Sequence, residues 1–133
     1  MLAITTKSPY AVRALAELAR AGRAGPVPIG ELARRRDIPV QFLEGLFATL
    51  RRAGILSSQR GVKGGYSFAR PPEEVRVLEV VELLDGELGA EAIPAGPPWS
   101  DAAEAVRGVL GAVTIADVAE REAREAGAAM YYI

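Results

Sequence analysis

The chain has 133 residues, enough for one domain with a real core, and contains neither Cys nor His. Those two zeros exclude disulfide frameworks, thiolate or imidazole metal sites, Ser-His-Asp and Cys-His triads and every His-based proton shuttle, so little enzyme chemistry survives. The formal net charge of -1 hides two opposed halves: residues 1–70 hold 12 basic and 4 acidic side chains (+8), and residues 71–133 hold 4 basic and 13 acidic (-9).

Met1 to Ile4 is too short an apolar run for a signal peptide, and Lys7 follows it rather than precedes it. The uncharged stretches Ala92 to Ser100 and Gly108 to Ala116 are about half of the roughly 20 residues a bilayer needs. A soluble, cytoplasmic chain with no membrane association is expected.

Ser8 and Pro9 open the first predicted helix, Ser8 as a cap for orphan N–H groups and Pro9 in the first turn. Ala11, Leu15 and Leu18 recur at helical spacing, with Ala14 and Ala19 beside them, until Gly22. Gly25, Pro26 and Pro28 form a linker. A second helix carries Ile29, Leu32 and Ala33 on one face and Arg34 to Arg36 at its end, where cations suit the helix dipole. Asp37 to Pro39 leave room only for a tight turn. Val40, Leu43, Leu46, Phe47 and Leu50 then form one apolar stripe, Gln41, Glu44, Gly45, Ala48 and Arg52 take the opposite face, and Gly54 caps the end. Two helices joined by a tight turn are a helix-turn-helix candidate, although helical hairpins are also common structural units.

Ile55 to Gln59 reads as a strand, Arg60 to Gly65 (RGVKGG) as a Gly-rich tip and Tyr66 to Phe68 as the returning strand. A basic hairpin directly after a helix-turn-helix is the layout of a winged helix. No acidic residue lies between Gly45 and Pro72, so Arg60 and Lys63 on the tip favour a phosphate-facing or groove-facing role over a plain surface turn.

After Pro71 and Pro72 the chain turns acidic. Val77, Val80, Val81 and Leu84 keep a helical stripe that ends at Gly86, and Ala90 to Trp99, with its prolines, reads as a loop. Ser100 is the predicted cap of a helix lined by Ala102, Val106, Val109, Leu110 and Val113. Thr114 and Asp117 resemble a capping box for a last helix through Ile115, Val118 and Ala119. The expected fold is mainly α: a winged helix-turn-helix DNA-binding domain with a small β-hairpin wing over residues 1–72, and acidic C-terminal helices for dimerisation and sensing over 73–133.

On the exposed face of the third helix, Gln41 suits a bidentate contact to adenine, and Glu44 can accept from a cytosine amino group or steady a neighbouring Arg. Gly45 costs up to about 1 kcal/mol of helix stability relative to Ala; with Ala48 it would let the backbone come close to base edges. Lys7, Arg51, Arg52 and the Arg34 to Arg36 run suit phosphates, which makes binding weaken as salt rises.

The stretches TTKSPYAVRAL, GPVPIGELARR, FLEGLFATLRRAGILSSQRGVKGGY and VRVLEVVELLDG closely resemble the bacterial winged-helix regulators related to the iron-sulfur cluster regulator. The resemblance is strong over residues 1 to 88. Its most specific part is the block from Leu46 to Tyr66, which contains LRRxGxLxSxRGxxGGY. It implies a homodimer on double-stranded DNA, binding an operator with dyad symmetry. A helix over about Ser100 to Val113 would cross its mate, with Val106, Val109, Leu110 and Val113 as dimerisation candidates. It also places Arg60 in the minor groove, Gln41 and Glu44 at base-reading positions, and Lys7, Tyr10, Arg51, Arg52 and Lys63 on the DNA backbone. Gly45 stands where the iron-sulfur regulator has a polar base-reading residue, so operator preference should differ.

The largest departure lies in the sensor. Cluster-binding relatives place three Cys and a further ligand in the loop that here reads AEAIPAGPPWSD. Without thiolate or imidazole no [2Fe-2S] site can be built, and neither metal nor other cofactor is expected. The loop is left to a small-molecule effector near Trp99, to a protein partner, or to no sensing role. The expected function is a transcriptional regulator of the repressor kind. The alternative is an interaction module whose acidic half binds another protein; an enzyme is not expected.

Overall fold

A computed structural model of the chain describes residues 4–22, 25–90 and 92–131. Met1 to Ala3 of the N-terminal apolar run and Glu91 of the predicted loop lie outside the described residues.

The first part consists of α1 (Lys7–Arg20), α2 (Ile29–Arg36), α3 (Val40–Arg52), β1 (Leu56–Gln59) and β2 (Gly65–Phe68). Ala11, Ala14, Leu15 and Leu18 of α1, Leu32 and Ala33 of α2, and Leu43, Leu46, Phe47 and Leu50 of α3 are all buried in one cluster. Each large side chain so buried contributes about 2 kcal/mol, and this shared face, more than helix propensity, holds helices as short as α2 in place. Asp37, at φ 54°, is the left-handed C-cap of α2 and turns the chain into α3. The two strands run antiparallel, Leu56 opposite Phe68 and Gln59 opposite Gly65. Val27, in the α1–α2 linker, adds a bridge by exchanging N–H···O bonds of 2.9 and 2.8 Å with Tyr66. The expected winged helix is present, with its hairpin tied back to the start of α2.

A 3-10 turn at Pro72–Glu74 leads into α4 (Val77–Asp85), followed by α5 (Ala92–Ala95), α6 (Pro97–Gly111) and α7 (Ile115–Tyr131). Charge changes sign near residue 71, but the core is continuous: Val75, Val77, Val80, Val81, Leu88 and Ile115 belong to the same cluster as the helices before them. The last helix, α7, packs along α1. Its start is the capping box read from the sequence, with Asp117 N–H donating to Thr114 Oγ1 and Thr114 N–H to Asp117 Oδ2, each at 3.0 Å.

Four local expectations are corrected. Ser8 is not a cap: Thr6 holds the N-cap position of α1 without a side-chain bond, and Ser8 is 1% exposed with its hydroxyl donating to Asp85 Oδ2 at the end of α4. A carboxylate outcompetes backbone partners for a hydroxyl because charge-assisted bonds are about twice as strong. Val40 is 40% exposed, since the first turn of α3 projects past the core. The Ala90 to Trp99 loop contains α5 and the start of α6: Pro97 and Pro98 occupy the first turn, where a missing N–H costs nothing. Trp99 is therefore helical, and Ser100 lies inside the first turn, its hydroxyl donating to the Pro97 carbonyl at 3.1 Å. Finally, the stripe expected over Ser100 to Val113 is split: α6 ends at Gly111, Val106 and Leu110 on it and Val113 just beyond it pack against the core, and Val109 is 64% exposed.

Candidate nucleic-acid interface

The buried stripe of α3 fixes what its other side presents. Gln41, Glu44 and Gly45 are exposed, Ala48 is half-buried, and a Cβ at Gly45 would meet nothing within 4 Å. Phe42, which lies outside the stripe read from the sequence, packs edge-to-face on Tyr10 of α1 with ring centroids 5.6 Å apart. That contact sets Tyr10 against the N-terminal part of α3. An apolar residue one position outside the main stripe is the signal that points to it. At the other end Thr49 Oγ1 accepts from Arg52 at 3.2 Å while donating to the Gly45 carbonyl at 3.2 Å.

Two glycines of the wing pack directly against backbone. A Cβ on Gly64 would lie 2.1 Å from the Gln59 carbonyl oxygen, and one on Gly65, at φ 150°, would lie 2.3 Å from the Val27 carbonyl carbon. Side chains are excluded from both places by backbone that cannot yield. Tyr66 stacks edge-to-face on Phe47, centroids 5.1 Å apart, so the hairpin is anchored to the buried face of α3. Its tip presents Arg60, Val62 and Lys63 to solvent.

Ion pairing sorts the cations. Among the described residues Arg51, Arg52, Arg60 and Lys63 form no ion pair. Arg51 reaches only Ser58 Oγ, at 3.5 Å. The Arg34 to Arg36 run departs from the expected phosphate role. Arg35 pairs with Glu17 and Glu31, and Arg36 donates to Glu17 at 2.8 Å and to both oxygens of Glu122 at 2.7 and 2.9 Å. Arg36 points inward, joining α1, α2 and α7. The bond to Glu122 raises its pKa above the usual guanidinium value against the opposing effect of burial. Of that run Arg34 alone is left without a carboxylate among the described residues. Lys7 is exposed at the start of α1, beside the Thr5–Asp85 hydrogen bond of 2.5 Å.

The other singled-out residues lie apart from this face. Trp99, 50% exposed, sits in the first turn of α6. Cavities of about 510 Å³, between the end of α1 and the strand leaving the wing, and about 530 Å³, between α4 and the ends of α3 and α6, do not include it in their walls.

A helix-turn-helix with an anchored basic wing defines a winged-helix transcriptional regulator. The chain belongs to the Rrf2 family, whose profile, described as an iron-dependent transcriptional regulator, matches residues 4–121. It is 42% identical over 95 residues to the HTH-type transcriptional regulator IscR of Cereibacter sphaeroides, covering 70% of this chain and 61% of that protein. It is 30% identical over 131 residues to IscR of Xenorhabdus nematophila, covering 90% of this chain and 80% of that protein. A match to a Synechocystis relative spans 58% of its length. Among solved structures, CymR, the global cysteine regulator of B. subtilis, superposes with a TM-score of 0.80 at 30% identity, covering 91% of this chain and 98% of that one. T. potens IscR does so with 0.79 at 33% identity, covering 94% and 90%. These relatives are regulators, not enzymes. No helix among the described residues is long and apolar enough to cross a membrane.

The iron of the family description does not fit these residues. The sequence supplies no thiolate and no imidazole, and the described residues contain no group of three or more Asp or Glu able to hold a metal ion. Isolated carboxylates are hard oxygen donors, poorly matched to an iron–sulfur cluster.

Proposed function

We propose that the chain is a homodimeric, sequence-specific DNA-binding repressor that reads a dyad-symmetric operator on double-stranded DNA without an iron–sulfur cluster. Residues 1–72 face the DNA and residues 73–133 pair the two copies. The observation that carries this reading is the clustering of free cations: among the described residues Arg51, Arg52, Arg60 and Lys63 all stay unpaired around the exposed face of α3, whereas elsewhere six arginines are neutralised by carboxylates and Arg13, Arg34, Arg76 and Arg124 are not. Unpaired cations beside a helix that presents Gln41 and Glu44 match the division of labour between phosphate contacts, which position, and base contacts, which specify. Gln41 and Glu44 read bases, Arg60 enters the neighbouring minor groove, and Lys7, Tyr10, Arg51, Arg52 and Lys63 hold the backbone. Val109, exposed on α6 with Ala105 and Gly108, gives that helix a close-packing face for its mate, with Val106 and Leu110 at its margin and Val113 just past its end.

Selection from random duplex DNA, followed by binding at several salt concentrations, tests the proposal. Wild type enriches inverted repeats. Arg60→Ala loses about tenfold or more at fixed salt, and Lys63→Ala flattens the salt dependence by about one phosphate per protomer. Enrichment of no inverted repeat, or wild-type affinity in Arg60→Ala, would sink the mechanism.

A further inference from the structure

Glu82 stands where α4, the connector to α5, and α6 meet. Its Oε2 accepts a hydrogen bond from Arg107 Nη1 of α6 and a second, at 3.1 Å, from the Leu88 N–H of the connector. Beside this pair the connector and α6 touch directly. Gly89, at φ 86°, lies so close that a Cβ on it would stand 2.6 Å from Ala103 Cβ. Leu88, Ala92 and Ala103 are all buried around that contact. Contacts among three chain segments thus fix α6 against α4. The α4 helix packs in turn on α1 and α3, and its last residue, Asp85, accepts hydrogen bonds from Thr5 and Ser8 at the start of α1. An unbroken series of contacts runs from α6 to the helix that carries Gln41 and Glu44.

In a two-fold dimer joined through α6, a tilt of α6 against α4 appears twice in the separation of the two α3 helices. That separation must match the half-site spacing of the operator. We propose that Glu82 and Arg107 are positioning residues that set the half-site spacing this regulator accepts, the Glu82 carboxylate acting as the common acceptor that fixes α6 and the connector on α4. The inference rests on the dimeric operator-binding reading above. The Arg107 and Glu82 side chains are 39% and 27% exposed, and ion pairs so open to water add little to stability. Their effect is directional: one carboxylate with two donors from two segments defines an angle that apolar contacts alone leave loose.

The experiment is selection from a library of inverted half-sites with a varied spacer, using full-length wild type, Arg107→Ala, Arg107→Lys and Glu82→Gln. Melting temperature and solution mass are measured in parallel. Wild type enriches one spacing. Arg107→Ala and Glu82→Gln enrich several, lose roughly tenfold on the wild-type spacing, and bind an isolated half-site as wild type does; Arg107→Lys recovers part of the preference. Should Arg107→Ala fail to fold, Glu82→Gln, which keeps an acceptor for the Leu88 N–H, carries the test. The inference is overturned if folded, dimeric variants enrich the same single spacing with wild-type affinity. A wild type that enriches only unpaired half-sites overturns the dimeric reading itself, and this inference with it.

Discussion

Gly45 lies in mid-helix with open space where a side chain would stand, so the fold gains nothing from its being glycine. Gly45→Ala should stabilise the free protein by about 1 kcal/mol, seen as a rise of roughly 4 °C in Tm. Gly45→Leu, with equal room, should fold as well yet bind the operator on the order of tenfold more weakly, because the added side chain holds the α3 backbone away from base edges. Equal operator affinity in the leucine variant would remove Gly45 from the interface. Ser8 and Arg36 teach the opposite lesson. Each has the residue type of a surface role, a cap or a phosphate contact, and each is turned inward by a carboxylate 77 or 86 positions away. Their composition is plain in the sequence; their partners are not.

At the scale of elements, the legible parts are those whose burial repeats locally. The stripes of α1, α3 and α4, the RGVKGG tip and the Thr114–Asp117 box each need only a few neighbouring residues to be recognised. The segment from Gly86 to Ser100 is not legible in this way, because its prolines signal a loop when counted and a helix start when placed at the first turn of α6. Which applies depends on Gly89 closing on Ala103 across the connector, a contact without a periodic signature. The same packing bears on the metal. With the connector closed on α6 and no soft ligand in the chain, operator affinity should be the same after anaerobic purification, after chelation and after incubation with iron and sulfide. Stoichiometric iron that sharpened operator binding would contradict this, and elemental analysis beside a gel-shift titration decides it.

For the whole molecule, charge and core divide the chain differently. The basic half carries the proposed DNA-facing residues, yet the two halves share one core, and among the carboxylates that tie them are Asp85, to Thr5 and Ser8, Glu122, to Arg36, and the more exposed Glu79, to Arg70. The Arg36 hydrogen bond, helped by the fields of Arg36, Arg20 and Arg13, holds the Glu122 carboxyl below its ordinary pKa despite burial. For Asp85 burial pushes upward, but hydrogen bonds from Ser8 and Thr5 and the nearby Lys7 carry the net shift downward. A carboxyl depressed in the folded state stabilises the fold above its unfolded pKa, and that contribution is lost as pH falls through the folded value. The Asp85 and Glu122 ties should therefore hold at neutral pH and fail in acid, below the ordinary carboxylate range near about 4. Glu122→Gln should cost about 2 kcal/mol at neutral pH, the worth of a hydrogen bond to a charged group. It should also show a shallower loss of stability on acidification, so that its denaturation midpoint approaches that of wild type at low pH. Midpoints that stayed a constant distance apart from neutral pH into acid would mean that Glu122 titrates alike in the folded and unfolded chains, and its bond to Arg36 would then contribute nothing to the acid sensitivity of the fold.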